Sequence, residues 1–124
     1  MQRLFMRINK TAPIIVLKPL LFGPDGKCRV KMALDTGATF TIIPWDIAEH
    51  LGYDPATTAE KVIITTASTI EKAPLITLEW MKVFDVVHDL PPKSRVDGLL
   101  GLSFLKHLDI NINFKKGSLE LKDP

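Results

Sequence analysis

MALDTGA, residues 32–38, is the stretch of sequence that decides how this chain folds. Its apolar Met-Ala-Leu leads into Asp35-Thr36-Gly37, and a second apolar run, FTII at residues 40–43, follows. Asp and Gly are favoured turn formers, so the pattern predicts a tight turn between two strands that presents one carboxylate. The tripeptide occurs once, so chemistry that needs two such carboxylates in one cleft needs two copies of the chain.

A second element, built from apolar residues and a glycine, lies well downstream of this turn. Residues 96–105 read VDGLLGLSFL, where Leu99, Leu100 and Gly101 precede a short helical pattern. With the Asp-Thr-Gly turn, and in the same order, this element resembles the retropepsin-like aspartic proteases, the single-domain family of the retroviral enzymes and their cellular and bacterial relatives. The resemblance covers roughly residues 14–121, almost the whole chain.

The resemblance implies a role for each residue of the two motifs. Asp35 would be the catalytic aspartate, and the Thr36 hydroxyl would reach across a dimer to the partner's loop. Gly37 would let backbone approach the carboxylate closely. Ala38, where pepsin-type loops often carry Ser, favours the retroviral-type branch. The apolar pair and glycine of the second element would pack beneath the loop.

The resemblance also implies the fold class. We expect a mostly β chain, a retropepsin-like closed β-barrel or acid-protease half, with one or two short helices. At 124 residues and 46% apolar content, the chain predicts one domain over residues 1–124 with a small core that would gain from a partner.

Local patterns predict the elements around the turn. Residues 14–21 and 27–34 are rich in β-formers and flank the turn sequence GPDG, which predicts a hairpin that delivers Asp35 at its end. Residues 40–43 predict a strand. Residues 44–51 predict a short helix that Gly52 stops.

The middle of the chain predicts two strands, residues 62–66 and 75–78, with the family's flap between them at residues 67–73, and then a strand at residues 83–87. The flap is the hairpin that closes over substrate. This segment has no glycine, which predicts either a stiffer tip than the family's usual one or a different register. The candidate flap residues are Ala67, Ser68, Thr69 and Ile70.

The last third predicts a helix and a closing hairpin. Ser103 is a plausible N-cap for a helix at residues 104–108. Apolar residues then alternate with polar ones over residues 108–114, which predicts a strand. KKGS, residues 115–118, turns the chain into a final strand.

Charge and cysteine content narrow the function classes. A net charge of +2, with no basic run, argues against a nucleic-acid partner. The single Cys28 excludes an internal disulfide and fits a reducing compartment, so we expect a cytoplasmic protein. The apolar run at residues 13–17 is interrupted by Lys18 and Pro19 before it reaches the length of a signal-peptide core, and no membrane span is expected.

Other reactive groups favour ordinary structural roles. The histidines have no ligand-like spacing, so we expect no metal and no cofactor. Ser103 is not followed by the second glycine of a nucleophile elbow. Asp97 could pair with Asp35 within one chain, but Asp-Gly beside Val96 is better explained as a turn.

The sequence therefore predicts an aspartic endopeptidase that acts on polypeptides as a homodimer, with one Asp35 from each chain. The alternative is a catalytically inactive protease-fold module that dimerises or binds peptides, because fold does not dictate activity. A third interpretation, that the chain is one part of a larger polyprotein or assembly, stays open. The terminal strands build the dimer sheet in the retroviral arrangement, but the short, proline-ended tail does not make that arrangement obvious here.

Overall fold

The computed structural model describes residues 2–9, 11, 14–58, 60–65, 70–74, 80–82 and 96–123. In chain order its elements are β1 (Gln2–Arg7), β2 (Val16–Leu17), β3 (Leu20–Gly23), β4 (Gly26–Arg29), β5 (Met32–Leu34), α1 (Trp45–His50), β6 (Lys61–Thr65), β7 (Ile70–Pro74), β8 (Trp80–Lys82), β9 (Gly98–Leu100), α2 (Leu102–Leu105), β10 (Asp109–Asn113) and β11 (Ser118–Asp123). The predicted mostly β fold with short helices is confirmed. Neither helix of these described ranges is long and apolar enough to cross a membrane.

The described strands form four small sheets rather than one continuous barrel. The terminal sheet has the order β1-β11-β10, the central sheet β2-β5-β9 and the hairpin sheet β4-β3-β8, while β6 and β7 form a separate pair. Strands β5 and β9 pair in parallel, whereas the other described pairs are antiparallel. The parallel pair brings the two sequence motifs side by side.

The predicted hairpin over residues 14–34 is confirmed, although each arm is broken once. Strands β3 and β4 pair around Pro24 and Asp25, with Gly23 opposite Gly26. Strands β2 and β5 continue the arms in the central sheet. The break in the first arm contains Pro19, which has no N–H to donate to a ladder. The arms therefore pass from the hairpin sheet into the central sheet and end at Asp35.

Helix α1 confirms the predicted helix and its end. Pro44 is its N-cap residue, Leu51 its C-cap, and Gly52 follows with a φ of 95°, a conformation that favours glycine. The Leu51 carbonyl accepts a 3.0 Å hydrogen bond from the Asp25 N–H. The end of the helix is thereby fixed to the tip of the β3–β4 hairpin. The predicted strand at residues 40–43 is wrong, because only Ile42 forms a bridge there.

The terminal sheet contains the predicted closing hairpin, β10 and β11, and a strand that the sequence reasoning missed, β1. Every residue of β1 pairs with β11. Leu119 and Leu121 of β11 are fully buried. They belong to the main core, whose buried members are Leu17, Leu21, Val30, Met32, Leu51, Leu100, Leu105, Leu119 and Leu121.

Strands β6 and β7 form a hairpin where the flap was expected. Thr65 pairs with Ile70, so Ile70 begins the second arm. That arm starts earlier than the predicted strand at residues 75–78. Ala67, Ser68 and Thr69 lie outside the described residues, as do the predicted strands at residues 75–78 and 83–87.

Candidate active site

Strand β5 delivers Asp35 to the end of the central sheet. Met32 and Ala33 of this strand are buried, whereas Asp35 is half-buried and Thr36 and Gly37 are exposed. The Asp35 N–H donates a 2.9 Å hydrogen bond to the carbonyl of Leu100, which extends the β5–β9 pairing by one step. The carboxylate therefore sits where a buried parallel pair opens into an exposed turn.

The turn itself is closed by two hydrogen bonds to Asp35. Its carboxylate oxygen Oδ1 accepts a 2.9 Å bond from the Gly37 N–H. Its main-chain carbonyl accepts a 3.2 Å bond from the Ala38 N–H. A side-chain oxygen that bonds the amide two residues on is typical of an Asx turn, and it fixes the orientation of the carboxyl group. A Cβ added at Gly37 would lie 3.2 Å from Oδ1, so a side chain there would crowd the carboxylate.

The loop of residues 35–41, which we call the catalytic loop after the role that the sequence predicts for Asp35, wraps around the end of β9. Ile42 and Leu99 exchange two backbone hydrogen bonds of 2.9 Å each. Since Leu99 also pairs with Ala33, strand β9 lies between β5 on one side and Ile42 on the other. This crossing replaces the strand predicted at residues 40–43, because the backbone there forms a single bridge to the middle of β9 instead of a ladder.

Gly101 lies directly beneath the catalytic loop. A Cβ added at this position would collide with the carbonyl oxygens of Phe40 and Ala38. Immediately after it, the Leu102 N–H donates to the Ala38 carbonyl at 2.7 Å. The Ser103 N–H then donates to the Thr39 carbonyl at 2.9 Å. Glycine is needed here because two backbone segments approach each other closely. Its φ of −100° is open to other residues, so the backbone conformation by itself does not require glycine.

Ser103 is not the N-cap that the sequence predicted. Helix α2 begins at Leu102, Gly101 occupies the cap position, and no side chain caps it. The Ser103 hydroxyl instead accepts a 3.0 Å bond from the Thr41 N–H and donates to Thr41 Oγ1 at 3.1 Å. Sequence reasoning missed Thr41 altogether, and its one signal is a hydroxyl in the otherwise apolar run FTII.

Asp97 lies far from Asp35 within the chain. Met32 pairs with Gly98, and the Asp97 N–H donates to the Lys31 carbonyl at 2.7 Å, so Asp97 lies just before β9, level with Lys31. At about 3.3 Å per residue, Asp35 is about 13 Å further along the sheet. The two carboxylates therefore cannot form a pair within one chain.

Among the described residues, neither a nucleophilic Cys28 nor a metal site finds support as a second reactive centre. Burial raises the pKa of the Cys28 thiol, and the nearby Asp97 and Asp46 carboxylates raise it further. Because the thiolate is the nucleophile, Cys28 is poorly suited to attack a substrate at neutral pH. Across the described ranges, no three His, Cys, Asp or Glu side chains lie close enough together to hold a metal ion.

Comparisons with known proteins agree with this architecture. The family described as "gag-polyprotein putative aspartyl protease" matches residues 24–107. A retropepsin-like aspartic protease from Rickettsia conorii has a similar fold, with a TM-score of 0.52 and 20% identity over 96% of this chain and 89% of that one. A protein of Sinorhizobium sp., "Uncharacterized protein in cobV 5'region", is 30% identical over 122 residues. That match covers 88% of this chain and 52% of the Sinorhizobium protein, so the chain spans about half the length of this relative.

Strand β9 passes behind an Asp-Thr-Gly turn, and this arrangement places the chain in the class of proteins with a retropepsin-like fold. The family match includes both motifs, from the hairpin turn at residue 24 to residue 107, just after α2. The chain therefore belongs to the retropepsin-like aspartic protease family.

Proposed function

We propose that this chain is an aspartic endopeptidase whose active site forms when two copies bring their Asp35 carboxylates together. The observation that carries the proposal is the placement of one carboxylate at an exposed turn whose backbone is fixed by β9. The one other acid that the sequence suggested as a partner, Asp97, lies at the opposite end of the central sheet. A second copy is then the source of the second carboxylate.

The exposure of the turn supports a symmetric contact at this point. Thr36 and Gly37 are exposed at the tip, so the backbone and the Thr36 hydroxyl are available to a second copy. In a twofold arrangement, each Thr36 hydroxyl would donate to the other chain's loop. Dimerisation and activity would therefore be linked.

The chemistry of the pair follows from its charge. Two carboxylates in contact cannot both ionise, so they hold one proton between them. The ionised Asp35 removes a proton from a bound water, which attacks the peptide carbonyl carbon. The protonated Asp35 of the other copy polarises the carbonyl oxygen and later donates its proton to the leaving amine. Because the two groups are coupled, the dyad titrates as a unit.

The substrate that we propose for such a dimer is an extended polypeptide. The paired strands β6 and β7 lie where the flap is expected, and pairing of a flap backbone with a substrate strand would give affinity with modest side-chain selectivity. We place the enzyme in the cytoplasm, since a chain with a single cysteine suits a reducing compartment. No cofactor enters this mechanism.

The test is cleavage of a diverse peptide library from acidic to neutral pH by wild type, Asp35→Asn and Asp97→Asn. Asp35→Asn should lower turnover by about 10²–10⁴-fold, the usual contribution of a general acid or base. Asp97→Asn is the matched control, since it makes the same change at the other end of the sheet, and it should keep turnover. Analytical ultracentrifugation should show the same dimer fraction for all three proteins.

Two outcomes would reject the proposal. A dimeric wild type that cleaves nothing at any pH would favour the inactive module that dimerises or binds peptides. A wild type that cleaves as a strict monomer would contradict the shared dyad.

A further inference from the structure

One peptide group joins both ends of the catalytic loop. The carbonyl of Leu100 accepts the 2.9 Å bond from the Asp35 N–H. The N–H of Gly101, in the same peptide group, donates a 3.1 Å bond to Thr41 Oγ1. Because a peptide group is planar, the directions of its carbonyl and its N–H are tied to each other. The Thr41 hydroxyl therefore helps to set the direction of the carbonyl that holds Asp35.

The Thr41 hydroxyl is itself held by Ser103. Ser103 Oγ donates to Thr41 Oγ1 at 3.1 Å and accepts from the Thr41 N–H at 3.0 Å. The backbone N–H of Ser103 is bonded to the Thr39 carbonyl at 2.9 Å. We call Thr41 and Ser103 the hydroxyl pair. The pair continues through the Leu100–Gly101 peptide to Asp35 as an unbroken series of hydrogen bonds.

The location of the hydroxyl pair argues for a role beyond general stability. Thr41 is half-buried, Ser103 is exposed, and neither belongs to the apolar core. An exposed hydroxyl bond contributes little to folding compared with the buried leucines. Thr41 is the last residue of the catalytic loop and bonds the peptide beneath it, and Ser103 bonds Thr39 and Thr41 of the loop. The hydroxyl pair therefore restricts the position of the catalytic loop.

We propose that Thr41 and Ser103 are positioning residues that set the place of the Asp35 carboxylate through the Leu100–Gly101 peptide. This inference rests on the proposed function, because it assigns the residues a part in the same reaction. A misplacement of about 1 Å at a reacting group can cost about 10²-fold in rate, so a small rotation of this peptide is enough to matter.

The test compares variants that remove or keep the hydroxyl. Thr41→Val keeps the branched shape and removes the oxygen, whereas Thr41→Ser keeps the oxygen. Thr41→Val should lower kcat by about 10- to 100-fold with KM unchanged, because only the reacting geometry is altered. Thr41→Ser should restore kcat. Ser103→Ala should lower kcat in the same way, and the double variant should be no worse than Thr41→Val alone, because the two hydroxyls act in series.

Thr57→Val is the matched control. The Thr57 hydroxyl donates to the Asp54 carbonyl in the turn after α1, away from the catalytic loop. Its removal should leave kcat as in wild type. Equal losses of kcat in Thr41→Val and Thr41→Ser, or a wild-type kcat in Thr41→Val, would overturn the inference.

Hydrogen exchange separates this inference from the proposed function. The Asp35 amide should exchange faster in Thr41→Val and as in wild type in Thr41→Ser, while amides of β11 stay protected and show that the variants are folded. If wild type has no protease activity, the proposed function fails and the exchange result alone decides the positioning role. An Asp35 amide that exchanges equally in all these proteins would reject that role.

Discussion

The terminal sheet and the catalytic loop are held in different ways. In the terminal sheet, every residue of β1 pairs with β11, and Leu119 and Leu121 carry the inner face into the core. The catalytic loop has no ladder of its own. It is fixed by hydrogen bonds with Leu100, Gly101, Leu102 and Ser103 and by the close approach at Gly101.

This difference separates stability from function. Many equivalent bonds and buried apolar side chains make the terminal sheet a source of stability, and no single bond in it is decisive. In the catalytic loop each hydrogen bond holds a different part of the loop. The loss of one bond should therefore change the geometry of the loop more than the free energy of unfolding. Substitutions in the two regions should therefore affect different measurements.

The largest change in stability should come from the terminal sheet. Leu121 is fully buried in the core, so Leu121→Ala should lower the free energy of unfolding by about 2–5 kcal/mol. Urea unfolding measures this loss. Leu121→Met, which keeps the volume, should cost less than about 1.5 kcal/mol. The fraction that remains folded should keep its specific activity, and a Leu121→Ala protein that is folded but inactive would contradict the separation.

Gly101→Ala should lower turnover more than it lowers stability. Its added methyl group would collide with the Phe40 and Ala38 carbonyls, which costs about 1–3 kcal/mol of stability as overpacking. Because the loop must move to relieve the collision, turnover should fall further than the unfolding equilibrium explains. Peptide cleavage measured well below the unfolding midpoint checks this. A variant as active as wild type would show that the close approach is not needed.

The smallest effect should come from the outer face of the terminal sheet. Glu120 Oε1 lies 3.3 Å from Arg3 Nε and 3.2 Å from Lys122 Nζ, and these partners are open to solvent. Glu120→Gln should change the free energy of unfolding by at most about 1 kcal/mol. Added salt should reduce even this difference. Glu49→Gln, which removes an exposed carboxylate on α1, is the control, and a loss comparable to that of Leu121→Ala would contradict the view that no single bond on this face is decisive.

Local patterns predicted the parts of the fold that local residues determine. The GPDG turn, the helix that ends before Gly52 and the closing hairpin all depend on neighbours in sequence. Strand β1 was missed because its partner is at the other end of the chain. Phe5, which is 62% exposed, also breaks the alternation of polar and apolar residues that would have marked this strand.

The candidate site was predictable as a motif but not as a set of contacts. Asp35, Gly37 and Gly101 were named through the resemblance of the two motifs to the family's, and the turn and the close approach show why these residue types fit. Thr41 and Ser103 could not be paired, because they lie 62 residues apart and their bond depends on β9 passing behind the loop. Ser103 in isolation resembles a helix cap, and only the fold shows that its hydroxyl is used by Thr41.

The central claim is that one active site uses an Asp35 from each of two chains. The most direct test mixes wild type with Asp35→Asn under conditions where the dimers exchange chains, at constant total concentration. If both carboxylates are required, activity falls as the square of the wild-type fraction, because only dimers of two wild-type chains are active. Activity that falls in direct proportion to the wild-type fraction would show that each chain works alone and would contradict the account.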